Sequence, residues 1–230
     1  MKRAWVMAIG ITLLCGATDA VRANPVQITF DQLVDGGTVS YDGNGGALVG
    51  TNIRFDVAVT FMTPLHANEN LTIDNGMVNF TTDANVTEGP VYTWAGGGNF
   101  SLTGTIHDPF NQVIASGVLL QGSFEGTVFA LDSPIANRMT INGFGTDRKH
   151  PDLLAYLGIP PDAEFTFANT QISGQGRIAP NGGFSLGVVE ADLVNTAEFV
   201  PLPTAFWMGG AMLAACGCVA RIRAAKRRGA

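Results

Sequence analysis

Apolar and polar residues alternate along most of this chain. The run Ile53-Arg54-Phe55-Asp56-Val57-Ala58-Val59-Thr60-Phe61 sets apolar side chains at every second position. A two-residue period gathers onto one face only when the backbone is extended, so the run predicts a half-buried strand. On that register Phe55, Val57 and Val59 face the core and Asp56 faces away. Val57→Asp should then unfold the domain, and Asp56→Val should be tolerated. Leu71-Thr72-Ile73 and Val78-Asn79-Phe80 flank Asp74-Asn75-Gly76, whose Asn and Gly suit positive φ and predict a hairpin turn. Phe100, Leu102 and Ile106 share one face, and segments 118–121, 127–131, 164–167 and 184–189 continue the series. Glycine with Asn or Asp punctuates the gaps, as in Asp42-Gly43-Asn44-Gly45-Gly46. One segment breaks the pattern. Pro151–Leu157 carries proline at a first-turn position, Asp152 beside it and Gly158 just past its end, which predicts a short helix. The expected fold is all-β, a two-sheet sandwich of roughly ten strands with that helix over one end.

The two ends follow a different logic. Lys2 and Arg3 precede an apolar stretch, Ala4–Ala17, and Val21-Arg22-Ala23 offers a small-residue cleavage site. That layout is a secretory signal peptide over 1–23, cut after Ala23. At the other end, Val200-Pro201-Leu202-Pro203 precedes an apolar stretch from Ala205 to Ala220. Arg221, Arg223, Lys226, Arg227 and Arg228 then form a basic tail. An apolar helix over 204–222 followed by cations predicts a membrane span with its C-terminus held in the cytoplasm. Sixteen apolar residues give ~24 Å of helix against a ~30 Å hydrocarbon core, so the anchor is short. The division expected is a leader (1–23), an exported body (24–199) and a C-terminal membrane segment (200–230).

A short proline motif, a single apolar helix and an arginine-rich extreme C-terminus resemble the PEP-CTERM sorting signal of exported proteins in Gram-negative, exopolysaccharide-producing bacteria. The usual motif is Val-Pro-Glu-Pro; here Leu202 replaces the acidic residue, which resembles a variant of the same signal. The resemblance implies that the general secretion machinery exports the chain across the inner membrane. It also implies that an exosortase, a membrane protease or transpeptidase, then processes it for the cell surface or extracellular space. Within the body, Tyr41–Ile106 resembles stretches of other proteins with this signal, which carry no known activity.

Charge sharpens the picture. From Asn24 to Pro203 there are 18 Asp and Glu against five Lys and Arg, a net of −13 that the whole-chain −6 conceals. Such a body repels nucleic acid. All three cysteines (Cys15, Cys216, Cys218) lie in the terminal segments, so no disulfide is expected to brace the body. Catalytic patterns are weak. Gly183-Phe184-Ser185-Leu186-Gly187 has nucleophile-elbow spacing, but His66, His107 and His150 all precede it. Asp42-Gly43-Asn44 and Asp74-Asn75-Gly76 hold calcium-type oxygens without a bidentate glutamate and read as turns. Tyr92 and Trp94 would share a strand face; exposed, they would form a stacking platform for sugar rings, although burial of Trp94 is the commoner arrangement. The chain therefore reads as a non-enzymatic surface or matrix protein needing no cofactor or metal. The alternative is a polysaccharide- or calcium-binding module of an exopolysaccharide matrix.

Overall fold

In the computed structural model, which describes residues 25–89, 91–133 and 137–198, the alternation becomes eleven strands and one helix. The strands are β1 (Val26–Asp31), β2 (Thr38–Tyr41), β3 (Ala47–Phe61), β4 (Asn70–Thr87), β5 (Val91–Trp94) and β6 (Gly97–His107). They continue as β7 (Val113–Phe124), β8 (Val128–Ser133), β9 (Arg138–Lys149), β10 (Phe165–Ile178) and β11 (Phe184–Ala197), with helix α1 (Pro151–Leu157) between β9 and β10. The expected leader over 1–23, with Ala23, and the membrane segment over 200–230 lie outside the described residues.

Every pairing is antiparallel, and the ladder returns to its start. β1 pairs with β3, then β3 with β4, β4 with β6, and β6 with β7. β7 pairs with β9, β9 with β10, β10 with β11, and β11 again with β1. The ring runs in chain order, as in an up-and-down barrel. The short strands lengthen it at one end. β2 bridges β3 and β11, while β5 and β8 pair with each other between β4 and β9. The all-β reading is what the structure shows; in place of two packed sheets there is one sheet whose hydrogen bonds close on themselves. Closure removes the unpaired strand edges that an open sheet presents.

Alternation then sorts the side chains. Val26, Ile28, Phe30, Phe55, Leu71, Phe100, Leu102, Ile106 and Leu193 are fully buried inside the ring. Threonines, asparagines and carboxylates occupy much of the outside, for example Thr72, Asp74 and Asn79 on β4. Apolar within and polar without is the reverse of a membrane-spanning barrel. Pro25–Glu198 forms one compact unit. Among the described residues no helix is long and apolar enough to cross a membrane.

Helix α1 forms where the sequence predicts it. The His150 ring accepts a hydrogen bond from the Asp152 N–H, Pro151 opens the first turn, and Gly158 closes it in the left-handed region at φ 71°. Leu153, Leu154 and Leu157 are buried beneath it. The Leu65 N–H donates to the Leu157 carbonyl at 3.0 Å, fixing the β3–β4 loop beside the helix.

Two expectations fail, both through bulges. Asp74-Asn75-Gly76 is no turn, because β4 runs through it. Asn75 takes φ 53°, and the register jumps from Asp74↔Thr105 to Met77↔Thr103 against β6. A side chain on Gly76 would come within 2.1 Å of the Phe55 carbonyl oxygen, so glycine is required for the strands to approach. Opposite this bulge, pairing jumps from Phe55↔Gly76 to Val57↔Thr72. The break resets the phase of β3. Phe55, Ala58 and Thr60 point inward, whereas Asp56, Val57 and Val59 are only half-buried. Val57 is therefore not a core residue. Asp56 is anchored, with its Oδ2 accepting from the Leu33 and Val34 N–H groups at 3.0 and 3.1 Å while its other oxygen meets Arg54.

The expected mutational order is thus reversed. Ala58→Asp puts an unpaired charge at a fully buried position and should cost several kcal/mol. Asp56→Val removes the acceptor of two exposed backbone donors and should cost about 1 kcal/mol. Val57→Asp should shift the melting temperature least of the three. Thermal unfolding of the purified variants ranks them, and a Val57→Asp protein less stable than Ala58→Asp would refute this register.

Candidate functional site

Strand β9 carries the chemistry that its alternation conceals. Met139, Ile141, Gly143 and Gly145 occupy its buried positions, and the same phase continues to Asp147 and Lys149. Both side chains are completely inaccessible, and Lys149 Nζ forms an ion pair with Asp147 Oδ1. Two strands away in the ring, fully buried Asn195 of β11 accepts from Lys149 Nζ through Oδ1 at 2.7 Å. Its Nδ2 donates to the Leu193 carbonyl at 3.2 Å, which fixes the carboxamide. The Phe165 ring of β10 lies 4.5 Å from Nζ and the Phe30 ring of β1 lies 5.6 Å away, both in cation–π range. The remaining Asp147 oxygen, Oδ2, is buried without a hydrogen-bond partner.

Burial dominates the electrostatics of this trio. It pushes the Asp147 carboxyl above the usual carboxylate range, and it pushes the Lys149 ammonium below its usual value despite the mutual attraction that opposes both shifts. Charges withdrawn from water are costly even when paired. A proton passing from Nζ to the carboxylate converts the ion pair into a neutral amine and a neutral acid, the pair of forms that burial favours. The arrangement can hold an uncharged amine, a carboxamide and a carboxylic acid together in a dry interior. Sequence reasoning did not single out these residues, although a signal exists. Carrying the inward phase of Met139 and Ile141 forward reaches both charges.

Tyr92 and Trp94 do share a face, and it is the inner one. Trp94 is fully buried and Tyr92 nearly so. Their rings stack at 6.0 Å, Tyr41 meets Trp94 edge-on at 5.3 Å, and Phe184 completes the cluster. The Tyr41 hydroxyl donates to Glu88 and accepts from the Gly45 N–H at 3.0 Å. These aromatics fill the end of the ring extended by β2, β5 and β8. The exposed platform expected of them does not form.

Other candidates resolve into structural roles. Asp42 Oδ1 accepts from the Asn44 N–H at 2.9 Å, the signature of an Asx turn. Ser185 sits in the ladder opposite Ser40, on an extended strand instead of an elbow. Glu69 accepts from the Tyr156 hydroxyl at 2.7 Å and meets His66 Nδ1 at 3.0 Å, while the His66 and Tyr156 rings stack at 3.9 Å. This cluster ties the β3–β4 loop to α1. Among the described residues no group of three or more His, Cys, Asp or Glu side chains is placed to hold a metal ion. The sorting motif (Val200, Pro201, Leu202, Pro203) and the cations Arg221, Arg223, Lys226, Arg227 and Arg228 lie outside the described residues. Set against family models, curated proteins and solved structures, the chain finds no match in any of the three.

A surface carboxylate pair gives the barrel a pH dependence. Asp31 and Asp192 are direct cross-strand partners. Asp192 is pushed up to about 7, first by its hydrogen bond with Asp31, then by partial burial and the charges of Asp31 and Glu190. Glu190 is itself bonded to Arg138. A carboxyl raised in the folded state stabilises it fully below the unfolded value, about 3.9. That contribution is lost as pH rises through about 7. Wild-type protein should melt lower at pH 8 than at pH 5, and Asp192→Asn should narrow the gap, mainly by raising the value at pH 8. An unchanged gap in Asp192→Asn would show that the pair does not contribute.

Proposed function

We propose that this chain is an exported, non-enzymatic protein of the cell surface or extracellular matrix, held at the membrane and then sorted through its C-terminal segment. The observation that carries this reading is the order proline motif, apolar stretch and basic tail over 200–230, combined with a signal-peptide layout over 1–23. The geometry of the body supports it. Val26 pairs with Ala197, so the first and last strands lie side by side and both ends of the body leave from one pole. The ladder stops at Ala197, three residues before Val200 in the sequence. The body carries a net negative charge and a core filled with apolar side chains, as a durable surface element would. The polysaccharide-binding alternative drew on exposed Tyr92 and Trp94, and both are buried.

Two measurements test the proposal. Mass spectrometry of the mature extracellular protein should find a chain that begins at Asn24 and lacks everything from about Pro203 onward. Intact Phe206–Ala230 peptides in that fraction would refute C-terminal processing, and retained Cys15 would refute leader removal. Replacing Pro201 and Pro203 together by Ala should block release while leaving the body folded, because alanines let the membrane helix extend into the cleavage site. Normal release of the double variant would reduce the motif to a spacer.

A further inference from the structure

We propose that Lys149 and Asn195 join through an intramolecular amide bond, formed by the protein on itself with Asp147 as the proton-transferring group. The inference rests on the buried trio and stands independently of the sorting proposal.

Three observations bring the reactants together. Lys149 Nζ already lies at hydrogen-bond distance from the Asn195 carboxamide, 2.7 Å from its oxygen. Such pre-positioning turns an otherwise bimolecular aminolysis into a unimolecular step. Asp147 contacts the same amine, and its second oxygen is buried without a partner, so it can take and return a proton. Phe30 and Phe165 flank the amine, and all three polar side chains are sealed from solvent. The same burial favours the nucleophilic free amine over the ammonium.

The step balances without a further reactant. The Lys149 ammonium first gives a proton to Asp147. The Nζ lone pair then attacks Asn195 Cγ while the Asp147 carboxylic acid hydrogen-bonds the carboxamide oxygen and offsets its developing charge. Asp147 next relays a proton from the attacking nitrogen to Nδ2. The Cγ–Nδ2 bond breaks and Nδ2 departs as ammonia. One carbon–nitrogen bond replaces another, the departing ammonia takes up the proton left on Asp147 and leaves as ammonium so that the carboxylate is restored, and nothing is oxidised or reduced. The product links β9 to β11 across β10 and encloses the chain between positions 149 and 195. Cross-linking a loop of that length restricts the unfolded chain as a disulfide would. This body contains no cysteine with which to make one.

The test is a tryptic digest of the full-length protein after denaturation. Trypsin cuts after Lys149 only if its amine is free. A linked chain should yield a branched species in which the Lys149–Arg177 peptide is joined to the peptide beginning at Ile178, lighter than their sum by one ammonia. Fragmentation should place the junction at Lys149 and Asn195. Lys149→Arg and Asp147→Ala should both abolish the branched species, and Asp147→Ala should release free His150–Arg177. Wild-type protein that releases His150–Arg177 quantitatively, with Asn195 unmodified, overturns the proposal whether or not any variant folds. A branched species that persists in Asp147→Ala overturns it as well, since the proton relay would then be unnecessary.

Discussion

Strand β1 closes the ring, and much of the structure depends on that closure. Ile28 faces Thr60 of β3 on one side and Asn195 of β11 on the other, so a six-residue strand satisfies two ladders at once. Once the ring is shut, each strand has one face on a confined interior and one on water, and the interior has to be filled. Closure also builds the polar pocket. It brings Phe30, on the strand that pairs with β11, to 5.6 Å from Lys149 Nζ. Without β1 the buried amine would face a gap in the wall.

Much of this architecture was legible in the chain, and its exceptions have one cause. Helix α1 announced itself through proline, an acidic first turn and a closing glycine, signals that act over a few residues. Phe100, Leu102 and Ile106 kept their common face because the extra residues of the neighbouring bulges lie on β4 and β7, leaving β6 regular between Phe100 and Ile106. Alternation failed at Phe55–Val57 and at Asp74–Met77, where facing strands accommodate extra residues in concert. A bulge is a property of two strands and cannot be counted along one. The same limit hid the buried trio. Asp147 and Lys149 are neighbours in phase, but Asn195 lies 46 positions beyond Lys149, and only the ring brings it near.

The few cations of the body are used sparingly and locally. Arg54 meets Asp56, Arg138 meets Glu190, and Arg148 meets Glu164, all at least partly exposed, where such pairs contribute little to stability. Lys149 alone is taken inside. The net negative charge is thus left on the surface, where it keeps copies of the body apart and lowers their tendency to associate without specific contacts. Folding must come from apolar burial within the ring, since neither ion pairs nor disulfides supply it.

The side-by-side exit of the two ends has a mechanical consequence. If the chain is tethered through its C-terminal end while its body is dragged by flow or by a neighbouring surface, tension enters along β11. That strand is held on both sides, by β10 over most of its length and by β1 and β2 in succession. A pull along the strand axis loads these hydrogen bonds together in shear instead of opening them one by one. Asn195 sits two residues from the end of β11, so whatever fixes Asn195 to Lys149 takes up the load almost where it arrives. Force would pass across β10 into β9 before the rest of the barrel felt it.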